Sequence, residues 1–157
     1  MAPEGMVKVE LHGPEGEVET LWATPVAPDQ YQLENSPFFA YGVSWLDIVE
    51  AHPPGDGEFP VFTRVVRPSG HRTLRLILQP RADEAAASQA VLDRLNALGA
   101  SYEGYNSGYL AIDVPPRVAL TSITEYLTAT SQQWEYVNPT YEQVHGSQHP
   151  GSDVDVT

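Results

Sequence analysis

"TLRLILQPRADEAAASQAVLDRLNALGASYEGYNSGYLAIDVPP" spans residues 73–116, and its changes of period decide the fold. The opening residues alternate, with Leu74, Leu76 and Leu78 on one side and Thr73 and Arg75 on the other. That is the period-two pattern of a strand with one side toward a core. After Asp83 the period becomes helical: Ser88, Val91, Leu92, Leu95 and Leu98 share a face. Asp83 and Glu84 suit the positive start of such a helix, and Gly99 suits its end. Asn106-Ser107-Gly108 then separates two alternating runs, which predicts a hairpin. A second helix follows, with Leu120, Ile123 and Leu127 on one face and Pro116 near its first turn. "QWEYVN" reads as the last strand. The order β-α-β-β-α-β is the split βαβ, ferredoxin-like pattern, and it defines a module over residues 73–138.

Upstream the reading is all strand. "MVKVELH" alternates, with Met6 or Val7, Val9 and Leu11 available for a core. "EVETLWATPV" sets Val18, Thr20 and Trp22 on one side, and Tyr31 to Leu33 form a short strand ended by Asn35 and Pro37. "WLDIVEA", "FPVFTRVVR" and "RTLRLILQ" are further strands, broken by "HPPGDG" and "PSG". Short strands at this spacing predict a small antiparallel β-barrel-like module over residues 1–72. The expected architecture is therefore α+β, a barrel-like N-terminal half packed on a ferredoxin-like C-terminal half. Residues 139–157, ending "HGSQHPGSDVDVT", read as an irregular tail.

Composition narrows the function. The chain has 157 residues, with 8 Lys plus Arg against 21 Asp plus Glu, for a formal net charge of -13. Such a surface repels phosphate backbones and gains little from anionic lipid, so neither nucleic acid nor membrane is the expected partner. A basic protein partner is. The absence of cysteine excludes disulfides and thiolate metal sites, and cytoplasmic residence is the expectation. No run approaches the roughly 18 apolar residues of a membrane span. His145 and His149 have metal-like spacing, but "HGSQHP" cannot hold a stable helix, so neither a metal site nor any cofactor is expected. Tyr102, Tyr105 and Tyr109 lie where RNA-binding ferredoxin-like domains stack bases. Ten acids against Arg94 and Arg117 from Asp83 onward argue against RNA, leaving sheet packing or an aromatic protein-binding face.

The scarce cations are gathered in "RVVRPSGHRTLRL", residues 64–76. Pro68-Ser69-Gly70 between two β-patterned runs reads as a hairpin turn. Neighbouring arginines repel one another, so the cluster needs anions nearby. One source is the protein itself, since Glu17, Glu19, Glu34, Asp47 and Glu50 lie in neighbouring strands. The other is a bound carboxylate or phosphate gripped by guanidinium forks and turn amides. Ser69 and His71 alone do not make a catalytic pair, because nothing in the sequence identifies a residue orienting the imidazole. In "YQLENSPFFAYGVSWLDIVEA", Phe38, Phe39, Tyr41 and Trp45 read chiefly as core. Asp47 lies in an apolar run, where it caps a turn, pairs with an arginine or, if buried unpaired, becomes a general base.

"VKVEL", "ETLWA", "YQLENSPFFAYGVSWLDIVEA", "RVVRPSGHRTLRL" and "LGASYEGYNSGYLAIDVPP", in this order, resemble the bacterial family known as domain of unknown function 4265. The likeness covers about residues 6 to 138, and its most specific parts are "NSPFF", "GVSWLDIV" and "SGHRTLR". Asn35, Pro37, Phe38, Asp47, Ser69, Gly70, His71, Thr73 and Arg75 match the family's characteristic positions. The chain departs from the family at Leu46, where members often carry glycine, and at Ser36, where they carry a larger apolar residue. The resemblance implies no activity, substrate or catalytic residue.

Two functions compete on this reading. The first is a non-catalytic acidic binding protein, an inhibitor or immunity protein of a basic partner. The second is a small enzyme or ligand-binding module for an anionic small molecule. Its site would be the loop from Asn35 to Asp47 and the hairpin carrying Ser69, His71, Thr73 and Arg75. A third, structural reading makes the arginine stretch the seam between the two halves.

Overall fold

A computed structural model describes residues 5–146. Strand β1 (Val7–His12) pairs antiparallel with β2 (Val18–Ala27), which pairs with β3 (Gln30–Leu33). After a long loop, β4 (Ile48–His52) pairs with β3 and with β5 (Val61–Arg67). A single parallel bridge, Glu10 to Val61, closes the five strands into a barrel. Closure removes the free edges that an open sheet of this size would present. The interior is filled by inward residues of period two, among them Val9, Leu11, Leu21, Ala23, Leu33, Val49 and Ala51. In β2 the inward side is Leu21 and Ala23. Val18 and Thr20 face water, and Trp22 lies half-buried under the ammonium of Lys8.

The second half follows the predicted order: β6 (Arg72–Ile77), α1 (Ala86–Ala97), β7 (Ser101–Asn106), β8 (Tyr109–Val114), α2 (Leu120–Ala129) and β9 (Gln133–Asn138). The sheet order is β7-β8-β6-β9, all antiparallel. Ser88, Val91, Leu92 and Leu95 of α1 join Ile123 and Leu127 of α2 over Leu74, Leu76 and Leu78. Gly99 takes the left-handed conformation just past α1 (φ 102), where a Cβ would meet Val118 Cγ2 at 2.7 Å. The helix begins at Ala86, so Asp83 and Glu84 do not sit in its first turn. They accept instead from the Ser107 hydroxyl and the Arg81 amide of the preceding turn. Among the described residues no helix is long and apolar enough to cross a membrane.

Two further expectations change. Pro68-Ser69-Gly70 is not a hairpin turn, because β5 belongs to the barrel and β6 to the other sheet. The segment is the crossing between the two halves, and Gly70 (φ 93) supplies the reversal. Local turn chemistry is the same in both cases; only the strands' partners separate them. The stretch after Pro139, expected to be irregular, opens with a turn of helix, α3 (Tyr141–His145). Thr140 and Gln143 close its start as a reciprocal capping box. His149 and the rest of the tail lie outside the described residues.

Candidate functional site

The loop between β3 and β4 lies across the face of the second sheet that the helices leave open. A few of its amides reach backbone carbonyls, as Gly42 does at Val137, and side chains satisfy several of the others. Glu19 of β2 accepts from the amides of Phe38, Phe39 and Ala40 at 2.8, 2.9 and 2.9 Å. Glu103 of β7 accepts from the Ser36 amide at 2.9 Å and from the Asn35 side-chain amide at 3.3 Å. The Asn35 carbonyl oxygen accepts from the Trp22 amide at 2.9 Å, so Asn35 ties barrel, loop and sheet together.

Asp47 is fully buried at the end of this loop. One carboxylate oxygen accepts from the Ser44 amide at 2.9 Å, the other from the Ser69 amide at 2.8 Å. Burial pushes its pKa up, against the pull of these hydrogen bonds. No arginine pairs with it; the aspartate clamps the loop to the crossing. Leu46 before it takes a positive φ of 70, the conformation that the glycine common in the family adopts without cost. Ser69 continues the clamp. Its hydroxyl donates to the Trp45 carbonyl at 2.7 Å and accepts from the His71 amide at 3.1 Å.

The imidazole of His71 does have an orienting group. Its Nδ1 lies 2.9 and 3.0 Å from the two carboxylate oxygens of Asp113 on β8, with the ring edge-on to Trp45 at 5.0 Å. Burial raises the pKa of Asp113, and the hydrogen bond from His71 opposes that rise. A serine nucleophile is missing from this pair, since the Ser69 hydroxyl is engaged with backbone. Thr73 faces the loop: its hydroxyl is 2.7 Å from that of Ser44, which also accepts from Asn138 at 2.8 Å.

Arg75 sits on the same side of β6 and is 2% exposed. Its guanidinium donates to the carbonyls of Ala40 and Pro37 and approaches Glu135 of β9 at 3.4 Å. It also lies over the Tyr41 ring at 4.7 Å. The Tyr41 hydroxyl donates to Glu135 at 2.8 Å, and burial together with that carboxylate pushes the phenol pKa up to about 12. Arg72 donates to the carbonyls of Pro115 and Val118. Of the five acids expected to offset the arginines, only Glu50 does so, 2.9 Å from Arg64 on the exposed barrel wall. Arg72 and Arg75 are met chiefly by backbone carbonyls, and Glu19 and Asp47 by backbone amides.

Asp47, Ser69, His71 and Thr73 therefore cluster at the seam, while Asn35 and Arg75 flank it on separate sides. Asn35 lines a cleft of about 230 Å³ with Trp45, Glu103 and Asp113. Arg75 lines another, of about 200 Å³, with Tyr109, Gln133 and Glu135. The sequence reading missed Asp113, Glu103 and Glu135 as partners, and it named Glu19 for the arginines when the structure gives it to the loop amides. Asp113 alone carried a signal, an acid inside the apolar run "YLAIDV", as Asp47 does in its own. Among the described residues no group of three or more His, Asp or Glu is arranged to hold a metal ion.

The arrangement is similar to a solved structure described as a hypothetical protein from Neisseria gonorrhoeae. The TM-score is 0.66 at 15% identity, over 87% of this chain and 96% of that one, a likeness of fold. No curated protein matches the chain. A family model matches residues 19–136, from the loop-holding glutamate of β2 to the aromatic run of β9, and the chain belongs to that family, described as Domain of unknown function (DUF4265).

Proposed function

We propose that this chain is a non-catalytic acidic binding protein whose partner is a basic protein, in the manner of an inhibitor or immunity protein. One observation carries the reading. The guanidinium groups of Arg72 and Arg75 are directed inward onto the protein's own carbonyls. They therefore do little to offset, at the surface, the charge of a chain whose net value is -13. Complementary charge of this kind speeds encounter and makes affinity fall with salt. The imidazole–carboxylate pair of His71 and Asp113 fits an architectural role, since the neighbouring Ser69 hydroxyl is engaged with backbone.

A second reading, a small anion held at Arg75, rests on one atom. The Nε of Arg75 is buried and has no hydrogen-bond partner among the described residues, beside the cleft with Tyr109 and Gln133. Affinity capture from the host lysate, with wild type beside a folded His71→Ala/Arg75→Ala variant, separates the two. A basic protein held by both forms and released by salt supports the first reading. A small anion held by wild type alone overturns it in favour of the second.

A further inference from the structure

Two clefts adjoin where the halves meet beside β7. The first, of about 230 Å³, has Glu34 and Trp45 of the barrel loop on one side and Tyr102 and Asp113 of the second sheet on the other. The second, of about 410 Å³, lies between Trp22 of β2 and Tyr105 of β7, with Phe38 and Phe39 in its lining. Asn35 and Glu103 line both. Tyr105 is 58% exposed, and its ring stands edge-on to Phe38 and Phe39 at 5.5 Å. No lysine or arginine lines either cleft, whereas Glu34, Glu103 and Asp113 all line the first. Among the described residues none of these three carboxylates pairs with a lysine or arginine. Glu34 accepts from the Thr24 hydroxyl at 2.8 Å, Glu103 from the loop amides and Asp113 from His71. Arg72 and Arg117 act on Asp113 only through their charge. Burial pushes the pKa of Glu103 up, and the nearby charge of Asp113 adds to the rise.

We propose that this junction is where the basic protein partner docks, with an arginine side chain among Glu34, Glu103 and Asp113 and an adjacent apolar side chain on Phe38, Phe39 and Tyr105. Charge complementarity selects that occupant. The hydrogen bonds these carboxylates accept at Glu34 and Glu103 come from neutral donors, which leave the negative charge in place. A carboxylate offers about four lone-pair sites, so a carboxylate holding two donors still has room for a guanidinium. Arginine suits the place better than lysine, because its fork spans two carboxylates and it is the more weakly hydrated cation on entering a half-buried site. Half-buried aromatic rings beside a charged pocket are the composition of an interface centre. The aromatic face that the sequence offers at Tyr102 and Tyr105 thus gains a use. The inference deepens the reading of an acidic binding protein by giving its partner a place and a contact chemistry, and it rests on that reading.

The probe is a short blocked peptide of alternating arginine and leucine, titrated against the full chain at low salt beside the same peptide with glutamine in place of arginine. Glu34→Gln and Tyr105→Ala, each with its melting curve, are compared with Asp93→Asn on the exposed face of α1. Binding of the arginine peptide should weaken roughly threefold to tenfold in Glu34→Gln and Tyr105→Ala. It should stay within about twofold in Asp93→Asn. Amide resonances should shift at residues 34–36 and 101–105, which border the clefts. Equal binding of the two peptides would overturn the cationic occupant. Equal weakening by all three substitutions would overturn the cleft while leaving the acidic surface as the binding agent. Absence of binding at low salt would also overturn the cleft, whereas the acidic-binder reading falls only if affinity capture retains no basic protein. Cross-links to Tyr105 from a second copy, or from either end of the same chain, would overturn the proposal, because this protein would then fill the cleft itself.

Discussion

The two faces of β6 are both closed to water, by opposite chemistry. On one, Leu74 and Leu76 meet α1 and α2 in an apolar core. On the other, Thr73 and Arg75 meet the barrel loop through hydroxyls, guanidinium and carbonyls, and are as deeply buried. The apolar face is stabilised by area removed from water and tolerates small shifts. The polar face holds only if each buried donor and acceptor finds its partner, because one left unmade costs about 1–3 kcal/mol. The difference teaches how the halves are fixed: packing builds each half, while hydrogen bonds set how one sits on the other.

Substitution on each side should separate these contributions. Leu76→Ala empties part of the helix-side core and should lower stability by about 4 kcal/mol in urea melts, mostly by cavity formation. Arg75→Ala should cost about 3 kcal/mol by orphaning the Pro37 and Ala40 carbonyls. The share from Glu135 is small, since that side chain is 46% exposed. Arg75→Lys should recover only part of the loss, because an ammonium lacks the fork that spans two carbonyls and a carboxylate. If Arg75→Ala proves neutral, the seam does not depend on its guanidinium and the comparison fails.

A smaller effect is expected at Ser44. Ser44→Ala removes the partner of both Thr73 and Asn138 and should cost about 1–2 kcal/mol. Thr73→Val made together with it should cost less than the sum of the two single changes, as expected for one shared bond.

The smallest effect is a pH slope. Asp47, Glu103 and Asp113 have pKa values raised chiefly by burial. The folded chain therefore holds protons that the unfolded chain has released. Stability from these groups is greatest below their ordinary range and is lost as pH rises through the raised values. Melting temperature should accordingly rise as pH falls from neutrality toward the ordinary carboxylate range. Asp113→Asn should flatten that rise; an unchanged slope would show that Asp113 does not titrate differently in the folded state.

Much of this fold was legible because it follows from period. The alternation at Leu74, Leu76 and Leu78 and the helical face at Val91, Leu92 and Leu95 each pick out a core without knowledge of what covers it. The acidity likewise follows from counting, as does the gathering of cations between residues 64 and 76. Period also placed Thr73 and Arg75 opposite the leucines. It could not tell whether that side met water or a second half of the molecule, so the acids it offers the arginines are those of the neighbouring strands. Tertiary structure decided that β5 and β6 part into different sheets across Pro68-Ser69-Gly70, so the apparent hairpin became a crossing. It also decided that Glu19 serves amides and Arg75 serves carbonyls, and that His71 meets Asp113, 42 positions away. The physical reason is that apolar burial is non-directional and can be read from spacing alone. A buried polar group needs one partner at one distance, and only the folded chain supplies it.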